Sequence, residues 1–419
     1  MALKSRKSAW HLVVHHIRNS YQETEVMSLG HTCPNCASEG MSVFYELEKV
    51  PGHSVLLLTT REAALTYPKG DIALGFCPAC GFISNVAFDP NLHEYDSAYE
   101  ATQAFSSTFN TFHRNLASYL VERYDLRDKE IIEIGCGQGE FLTLLCEMGG
   151  NRGVGFDPAF DGQRYRSKAQ DQITFIKDFY SEKYAGYQCD FLCCKMTLEH
   201  IHPTADFVSM VRRSTGDRSD TIIFFQVPDV RRILRETAFW DIYYEHCSYF
   251  SLGSLGRLFR RCGFDVVDLW KDFGDQYLMI EAKPGDGTGG SSLEQENDLQ
   301  ELTRDVANFS ENYPHELKKW RRTLQEIRED GRRAVIWGAG SKGVAFLTTL
   351  TVQDEIEYAV DINPHKRGTY MAGTGHEIVG PEFLKEYRPG VVIVMNPIYC
   401  DEIRRDLGKM GVTAELMPV

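Results

Sequence analysis

Three features are missing from this chain of 419 residues, and each absence excludes a class of protein. No stretch approaches the roughly 18 to 20 apolar residues that a membrane-spanning helix requires. Positive charge is not in excess, because the chain has 45 Lys and Arg residues and 59 Asp and Glu residues. No global basic field therefore attracts nucleic acid or an anionic membrane. The basic N-terminal residues precede neither an apolar core nor a small-residue cleavage site. A secretory signal is therefore not expected, and the cytoplasm is the predicted compartment.

The composition is that of a globular protein. Hydrophobic residues make up 43% of the chain, which is enough for large cores, and the length predicts two to four domains. The net charge of −14 favours a small molecule as substrate, with neither nucleic acid nor membrane as partner. The expected oligomeric state is a monomer or a homodimer.

The most informative motif is segment 131–139, which reads as a buried strand followed by a turn with three glycines. Glycine has no Cβ, so it permits otherwise strained backbone angles and lets a ligand approach the chain. A dinucleotide fingerprint needs a glycine three positions after the second one, but Gly135 and Gly137 are followed by Gly139 and then by a glutamate. With Glu133 inside the strand, the pattern resembles the first motif of class I S-adenosylmethionine-dependent methyltransferases. A tight turn without a ligand is the alternative.

Acidic residues follow the next two predicted strands. Asp157 ends the first of them, where an acid can accept hydrogen bonds from both ribose hydroxyls of an adenosine. By the methyltransferase resemblance, Asp178 is implied to face the adenine amino group. Lys195, at the end of a later strand, is assigned to the same cofactor site. Each acid taken alone is also compatible with a solvated loop.

Four of the twelve cysteines form two pairs with metal-ligand spacing, Cys33-Pro-Asn-Cys36 and Cys77-Pro-Ala-Cys80. Two such pairs make a tetrahedral zinc site of four thiolates, and saturation of the metal predicts a structural role. The long segment 37–76 between the pairs predicts a small β-rich insert. A redox pair and buried free thiols are the alternatives, although a reducing compartment disfavours disulfides.

From about residue 104 apolar residues recur at helical spacing, and after the glycine motif strands alternate with helices. An antiparallel pair at 265–269 and 276–281 completes a count that suits a seven-stranded methyltransferase sheet. A Gly-rich linker at 284–292 leads into a charged helix at about 293–330, expected to be interrupted before Pro314.

A second glycine motif lies near the C-terminus. A predicted strand enters Gly338-Ala-Gly340-Ser-Lys342-Gly343, which does match the dinucleotide fingerprint, and Asp361 follows the next strand. Lys342 begins a helix and is in position to meet a diphosphate. Three interpretations stay open: a site for a substrate nucleotide or diphosphate, a purely structural Rossmann-like domain, and an NAD site.

Two loops at the carboxyl ends of predicted strands carry candidate catalytic residues, at 197–202 and 241–246. A histidine can remove a proton near neutral pH, and a neighbouring carboxylate or phenol can orient it or stabilise an enolate oxygen. Packing and solvation are the alternative, above all for His202 and Tyr244.

The order of cysteine pairs, glycine-rich core, Tyr-x-Glu-His loop and second nucleotide-binding-like domain is similar to the nucleotide-sugar C-methyltransferase family. That family methylates deoxy-keto-sugars attached to a nucleoside diphosphate, and the likeness extends from Cys33 to Val419. It implies proton removal from the carbon next to a ketone, followed by attack of the enolate on the sulfonium methyl. The catalytic residues it implies are His246 as base, Glu245 and Tyr243 in the same loop, His200, and Tyr99 or Tyr95 from the N-terminal side.

One segment departs from that family, which usually carries Gly-Gly-Ser-x-Arg on the last strands where this chain has Gly-Asp-Gln276-Tyr277-Leu. The sugar pocket is therefore expected to differ. The predicted substrate-binding residues are Tyr95, Gln276, Tyr277, Gly338, Gly340 and Lys342. An O- or N-methyltransferase acting on another glycan or small metabolite is one alternative function, and a noncatalytic zinc-bearing nucleotide-binding protein is another.

The predicted fold is α/β, with a class I methyltransferase Rossmann-like sheet, a small N-terminal zinc-binding domain and a second Rossmann-like domain at the C-terminus. The predicted cofactors are S-adenosylmethionine and structural Zn²⁺. The expected divisions are an N-terminal extension at 1–30, a zinc-binding domain at 31–100, a methyltransferase domain at 101–284, a linker and helix at 285–330, and a C-terminal domain at 331–419.

Overall fold

The computed structural model describes residues 30–92, 99–287, 291–352 and 354–419. Within these ranges the chain forms three sheets. Tyr95 and nearly all of the predicted N-terminal extension lie outside the described residues. No described helix combines the length and the apolar character needed to cross a membrane.

The first sheet is antiparallel and confirms the β-rich insert between the cysteine pairs. Its strands are β1 (Ser42–Pro51), β2 (Lys69–Phe76), β3 (Ile83–Asn85) and β9 (Ser248–Tyr249), in the order β1-β2-β3-β9. Helix α1 (Arg61–Leu65) lies between β1 and β2. The fourth strand comes from a distant part of the chain, because Ile83 pairs with Tyr249. This sheet therefore includes the residues directly after the predicted catalytic loop.

The second sheet has seven strands, as predicted. They are β4 (Glu130–Ile134), β5 (Arg152–Phe156), β6 (Ile173–Ile176), β7 (Phe191–Lys195), β8 (Ile222–Pro228), β10 (Phe264–Asp272) and β11 (Tyr277–Pro284). Their order is β10-β11-β8-β7-β4-β5-β6, and the antiparallel pairs are β10 with β11 and β11 with β8. All of β7 and nearly all of β8 is buried, because helices cover both faces of a mainly parallel sheet.

The helices of this region are α2 (Ser107–Arg123), α3 (Glu140–Gly149), α4 (Thr204–Ser214), α5 (Val230–Glu236) and α6 (Leu252–Arg261). Helix α2 begins later than its apolar pattern suggested. The Ser106 hydroxyl accepts a hydrogen bond from the Phe109 N–H and so caps the helix. Phe105 lies before the helix and is 42% exposed, so it does not belong to the buried face.

Helix α7 (Leu299–Glu329) runs without a break through Pro314, so the predicted interruption is wrong. Proline removes one backbone hydrogen bond and disturbs the preceding turn. Pro314 itself is exposed, while Phe309 and Trp320 on either side of it are buried in the core. The packing of these two aromatic side chains holds both halves of the helix in line.

The third sheet is entirely parallel, with strands β12 (Ala334–Trp337), β13 (Tyr358–Val360), β14 (Glu377–Val379), β15 (Val391–Val394) and β16 (Glu415–Pro418). The order is β14-β13-β12-β15-β16, and the helices are α8 (Ser341–Leu350), α9 (Leu384–Tyr387) and α10 (Cys400–Met410). This is the second Rossmann-like unit that the sequence predicted. Ligands of such sheets bind at the carboxyl ends of the strands.

Replacement of Pro314 by alanine is expected to stabilise the protein by about 1–3 kcal/mol, because alanine restores the helix hydrogen bond and the exposed ring makes no buried contact. Thermal unfolding followed by circular dichroism measures the change. Lys318→Ala, at an exposed position of the same helix, is the control and should leave the melting temperature nearly unchanged. A lower melting temperature for Pro314→Ala would contradict this account of α7.

Candidate active site

The first glycine turn joins β4 to α3, and its three glycines have φ angles of +68°, +57° and +84°. A Cβ on Gly135 would lie 2.0 Å from Thr197, and one on Gly139 would lie 2.4 Å from Phe175. At Gly137 the nearest such atom would be 3.9 Å away. The turn is therefore closely packed on both sides and open at its centre, which fits a ligand held against the backbone.

Asp157 follows β5 and stabilises this turn. Its Oδ2 accepts a hydrogen bond from the Gly137 N–H at 2.8 Å, and its Oδ1 accepts one from the Ala159 N–H at 2.8 Å. Burial raises the pKa of Asp157 above its usual value, and the two N–H donors oppose that rise. The carboxylate thus lies beside the open centre of the turn, and its contact with a ribose stays a prediction.

Glu133 and Lys195 lie beneath the turn. The Glu133 Oε2 atom accepts a hydrogen bond from the Leu142 N–H at 2.9 Å, in the first turn of α3. Burial raises the pKa of Glu133 to about 8, and the charge of Lys195 opposes the rise. Lys195 lies 3.8 Å from the centre of the Phe141 ring and 3.0 Å from Nε2 of His113. Both residues support the turn from below, and direct contact with a cofactor stays a prediction.

Asp178 follows β6 at the same edge of the sheet. Its Oδ2 accepts hydrogen bonds from Lys183 and, at 2.6 Å, from the Tyr184 hydroxyl. The Lys183 hydrogen bond is the main reason why the pKa of Asp178 is lowered. The carboxylate is half-exposed, and its role towards an adenine stays a prediction.

The four predicted metal ligands meet at one point. The Sγ atoms of Cys33 and Cys80 are 3.6 Å apart, as are those of Cys36 and Cys77, and all four lie within 4.8 Å of one another. A disulfide needs sulfurs about 2.05 Å apart. Four thiolates at about 2.3 Å from one tetrahedral metal lie about 3.8 Å apart, which is close to the observed spacing. The cluster therefore has the geometry of a metal site.

A cavity of about 320 Å³ lies between the carboxyl ends of the second and third sheets. Most of the predicted catalytic and substrate-binding residues line it. Those that line it are Tyr99, His200, Tyr243, His246, Gln276, Tyr277, Gly338, Gly340 and Lys342. Met196, directly before the Thr197 that packs on the first glycine turn, also lines the cavity, so the two sites adjoin.

Two histidines from different loops meet in this cavity. The rings of His200 and His246 are 4.7 Å apart and nearly perpendicular, and Tyr243 lies 4.2 Å from His246 between ring centres. Burial lowers the pKa of His200 to about 3, with the neighbouring His246 as a smaller cause, so His200 is neutral at physiological pH. Burial raises the pKa of Tyr243 well above its ordinary value, so the phenol keeps its proton.

Glu199 is a member of this cluster that was not singled out in the sequence. Its Oε1 lies 4.0 Å from Nε2 of His246, and its side chain lines the cavity. The available signal was its position directly before His200 in the first histidine loop. A glutamate in a predicted loop gives no indication of burial, and only the fold places it at 1% exposure.

Glu245 does not line the cavity. Its carboxylate accepts hydrogen bonds from Nδ1 of His53 at 2.7 Å and from the Ser54 hydroxyl, both in the N-terminal sheet region. Burial alone would raise the pKa of Glu245, but these hydrogen bonds and the His53 imidazole hold it below its usual value. Sequence reasoning missed His53 and Ser54, which lie in the insert between the cysteine pairs and match no motif.

Beside the cavity, the second and third sheets touch through polar side chains. The amides of Gln276 and Asn396 exchange two hydrogen bonds, at 3.0 and 2.8 Å. Lys342, in the first turn of α8, pairs with Asp241, which also pairs with Arg232. Lys342 is therefore held in an ion pair at the start of the helix and is not free in solvent.

The second glycine turn is also closely packed. Gly338 has a φ of +117°, and a Cβ on Gly343 would lie 2.5 Å from the Gly338 carbonyl oxygen. Asp361 accepts hydrogen bonds from the N–H groups of Ala339 and Asn363 at 3.1 and 2.9 Å, and from Lys366 at 3.2 Å. The acid expected to meet a ribose is thus held by the chain itself.

Comparison with known families agrees with this architecture. Residues 101–269 match the family described as a methyltransferase domain, and residues 290–413 match the family described as a C-methyltransferase C-terminal domain. The chain is an S-adenosylmethionine-dependent methyltransferase with a class I Rossmann-like fold. Among similar proteins, C-methyltransferase NovU of Streptomyces niveus is 27% identical over 310 residues, which is 69% of this chain and 72% of NovU.

Two solved structures show limited similarity to this chain. The dimethyltransferase RosA of Streptomyces davawensis is 18% identical with a TM-score of 0.34, over 42% of this chain and 56% of RosA. The magnesium protoporphyrin IX methyltransferase ChlM of Synechocystis PCC 6803 is 13% identical with a TM-score of 0.33, over 44% of this chain and 89% of ChlM. Similarities of this size carry no argument about the substrate.

Replacement of Gly137 by alanine is expected to weaken S-adenosylmethionine binding at least about tenfold, or about 1.4 kcal/mol, because the methyl group enters the open centre of the turn. Titration calorimetry measures the affinity. Gly411→Ala is the matched control, since Gly411 has a similar φ of +67°, nothing within 4 Å of its would-be Cβ, and lies after α10. Equal affinity in both variants, or binding of NAD in place of S-adenosylmethionine, would contradict the assignment.

Proposed function

We propose that this methyltransferase methylates a carbon next to a ketone in a deoxy-sugar that is linked to a nucleoside diphosphate. The observation that carries the proposal is the cavity between the two Rossmann-like sheets. Proton-transfer groups line it together with a glycine turn and a lysine. Similarity to NovU, a C-methyltransferase by name, and the match to a C-methyltransferase C-terminal domain support carbon as the methyl acceptor.

The second glycine turn at the cavity suits a diphosphate. Helix α8 begins at Ser341 directly after Gly340, so its first backbone N–H groups and the positive end of its dipole favour an anion. Lys342 lies in the same turn and lines the cavity, paired with Asp241. Lys366, 3.2 Å from the Asp361 carboxylate, offsets the negative charge of that acid beside the turn.

The proton-transfer groups of the cavity suit removal of a proton from carbon. His246 takes the proton, the electron pair of the C–H bond moves towards the ketone oxygen, and the enolate carbon then attacks a methyl group. S-adenosylmethionine, when bound at the first glycine turn, supplies that methyl group on a positively charged sulfur. Tyr243 keeps its phenolic proton and is close enough to His246 to act on the same substrate.

The geometry of the cysteine cluster supports one structural Zn²⁺ held by the four thiolates. Four protein ligands saturate the metal, so no position stays open for water or substrate. The site holds the N-terminal sheet in place, because β3 begins directly after the Cys77–Cys80 pair and pairs with β9. A cytoplasmic location, with reduced thiols, is part of the same proposal.

Replacement of His246 by alanine should leave S-adenosylmethionine affinity unchanged but lower methyl transfer and solvent exchange of the substrate α-proton by about 10²–10⁴-fold, because the base is lost. Exchange is measured in D₂O by NMR, with thymidine-, uridine- and guanosine-diphosphate-linked 4-keto-6-deoxyhexoses as probes.

His202→Ala is the control for that experiment. His202 lies in the neighbouring loop but packs on Phe88, at 5.7 Å between ring centres, and not in the cavity. Normal exchange is expected for this variant. Undiminished exchange in His246→Ala would remove His246 as the base, and failure of the wild-type protein with every probe would overturn the sugar-nucleotide assignment.

One zinc ion per chain is expected by metal analysis of the purified protein, and Cys36→Ser should lower both the zinc content and the melting temperature because one ligand is lost. Cys400→Ser, at a half-buried cysteine outside the cluster, serves as the control with full zinc content. Wild-type protein that carries no metal and presents four free thiols at the cluster would contradict the zinc proposal.

A further inference from the structure

Glu199 occupies an unusual position for a carboxylate. It lies in the loop after β7, lines the cavity and is only 1% exposed. Among the residues that the structure describes, no hydrogen-bond donor reaches either of its carboxylate oxygens. A buried polar group without a partner is destabilising, so its retention calls for a role with a ligand.

The surroundings of Glu199 favour the neutral acid. Nε2 of His246 lies 4.0 Å from its Oε1, and His200 follows Glu199 in the chain. Burial raises the pKa of Glu199 to about 8. The other titratable groups that face it from neighbouring segments are neutral side chains with pKa values raised mainly by burial: Tyr99, Cys194, Tyr243, Cys247 and Tyr277.

We propose that Glu199 is a catalytic residue that donates a hydrogen bond to the ketone oxygen of the substrate while His246 removes the proton from the adjacent carbon. This inference rests on the proposed function. The α-hydrogen and the ketone oxygen of one substrate are three bonds apart, so a base and a donor separated by 4.0 Å can reach both at once. A donor placed where charge develops stabilises the transition state more than the ground state.

Each proton and electron pair in this step has a defined destination. The C–H bond breaks, its proton goes to the imidazole of His246, and its electron pair forms the enolate. Glu199 keeps its own proton and shares it with the enolate oxygen through the hydrogen bond. When the carbon bonds to the methyl group, the bond between that methyl group and the sulfonium would break and leave its electron pair on sulfur as a neutral thioether. The ketone re-forms, and His246 later releases its proton to solvent.

A different role for the same residues is to bind a divalent cation. One ligand atom from each of Glu199, His200 and His246 lies within 4.8 Å of the other two, and two imidazoles with one carboxylate can bind a transition metal. Such a cation would occupy the base and ionise the carboxylate. Metal-dependent activity would therefore overturn the proposal.

The test compares two replacements of Glu199. Glu199→Gln keeps the shape and an N–H donor, whereas Glu199→Leu removes the donor and fills the same space. We expect α-proton exchange with the keto-hexose probes to fall less than about tenfold in Glu199→Gln and about 10²–10³-fold in Glu199→Leu. The affinity for S-adenosylmethionine should be unchanged in both variants, which shows that they are folded.

The pH profile separates the acid from the carboxylate. Glu199 is protonated below pH 8 and loses its proton above it, so wild-type exchange should fall above that pH. The amide does not titrate, and Glu199→Gln should lose this fall. Glu133 has a pKa of about 8 as well, so only the difference between wild type and Glu199→Gln reports on Glu199.

A measurement without substrate keeps the two proposals distinct. Infrared difference spectra of wild type minus Glu199→Gln should show a protonated carboxyl band at pH 7 that disappears above pH 8, because the band of Glu133 is common to both proteins and cancels. Absence of that band from the difference spectrum would overturn the role of Glu199 whatever the activity. The role of Glu199 would also be overturned if Glu199→Leu exchanged the α-proton as fast as the wild type, or if both variants lost the same amount of exchange. Exchange that depends on added Mg²⁺, Mn²⁺ or Zn²⁺ would overturn it as well. A wild type that is inactive but shows the carboxyl band defeats only the sugar-nucleotide function.

Discussion

The position of the candidate base depends on Glu245, the residue directly before it. This carboxylate is 1% exposed and is held by His53 and Ser54, and the Ser54 hydroxyl lies 2.7 Å from that of Ser341 at the start of α8. Side chains from all three sheet regions thus meet at one buried negative charge. Because an unpaired buried charge is strongly destabilising, His246 is fixed in place by parts of the chain nearly 200 residues away.

The fold also determines which side chains in the cavity carry a charge. Burial makes His200 neutral at physiological pH and raises the pKa values of Glu199 and Tyr243, so the groups beside His246 are proton donors without charge. In a low-dielectric site such donors interact strongly with charge that develops on a substrate. The insert between the cysteine pairs contributes to this effect, since it supplies His53 and covers the loop that carries the base.

The C-terminal unit is attached to the methyltransferase sheet by polar contacts as well as by packing. Glu402 of α10 accepts hydrogen bonds from the Ser106 hydroxyl and from the N–H groups of Ser107 and Thr108, and so caps α2 from the other unit. The reciprocal amide pair of Gln276 and Asn396 lies at the same junction. Where the resembling family usually carries an arginine-containing segment, this chain therefore uses an amide to join its two units beside the cavity.

The sequence by itself determined the elements whose signals are local. Apolar strands, three glycines in one turn and a second turn with dinucleotide spacing defined two Rossmann-like units, and two cysteine pairs defined a metal-type cluster, because each pattern reflects short-range backbone geometry or ligand spacing. Long-range packing decided the rest. It kept α7 continuous through Pro314, buried Glu199 beside His246, and turned Glu245 away from the cavity towards His53. These outcomes depend on contacts between segments far apart in the chain, and burial, the main cause of the shifted pKa values of Glu199, His200 and Tyr243, has no local signature in the sequence.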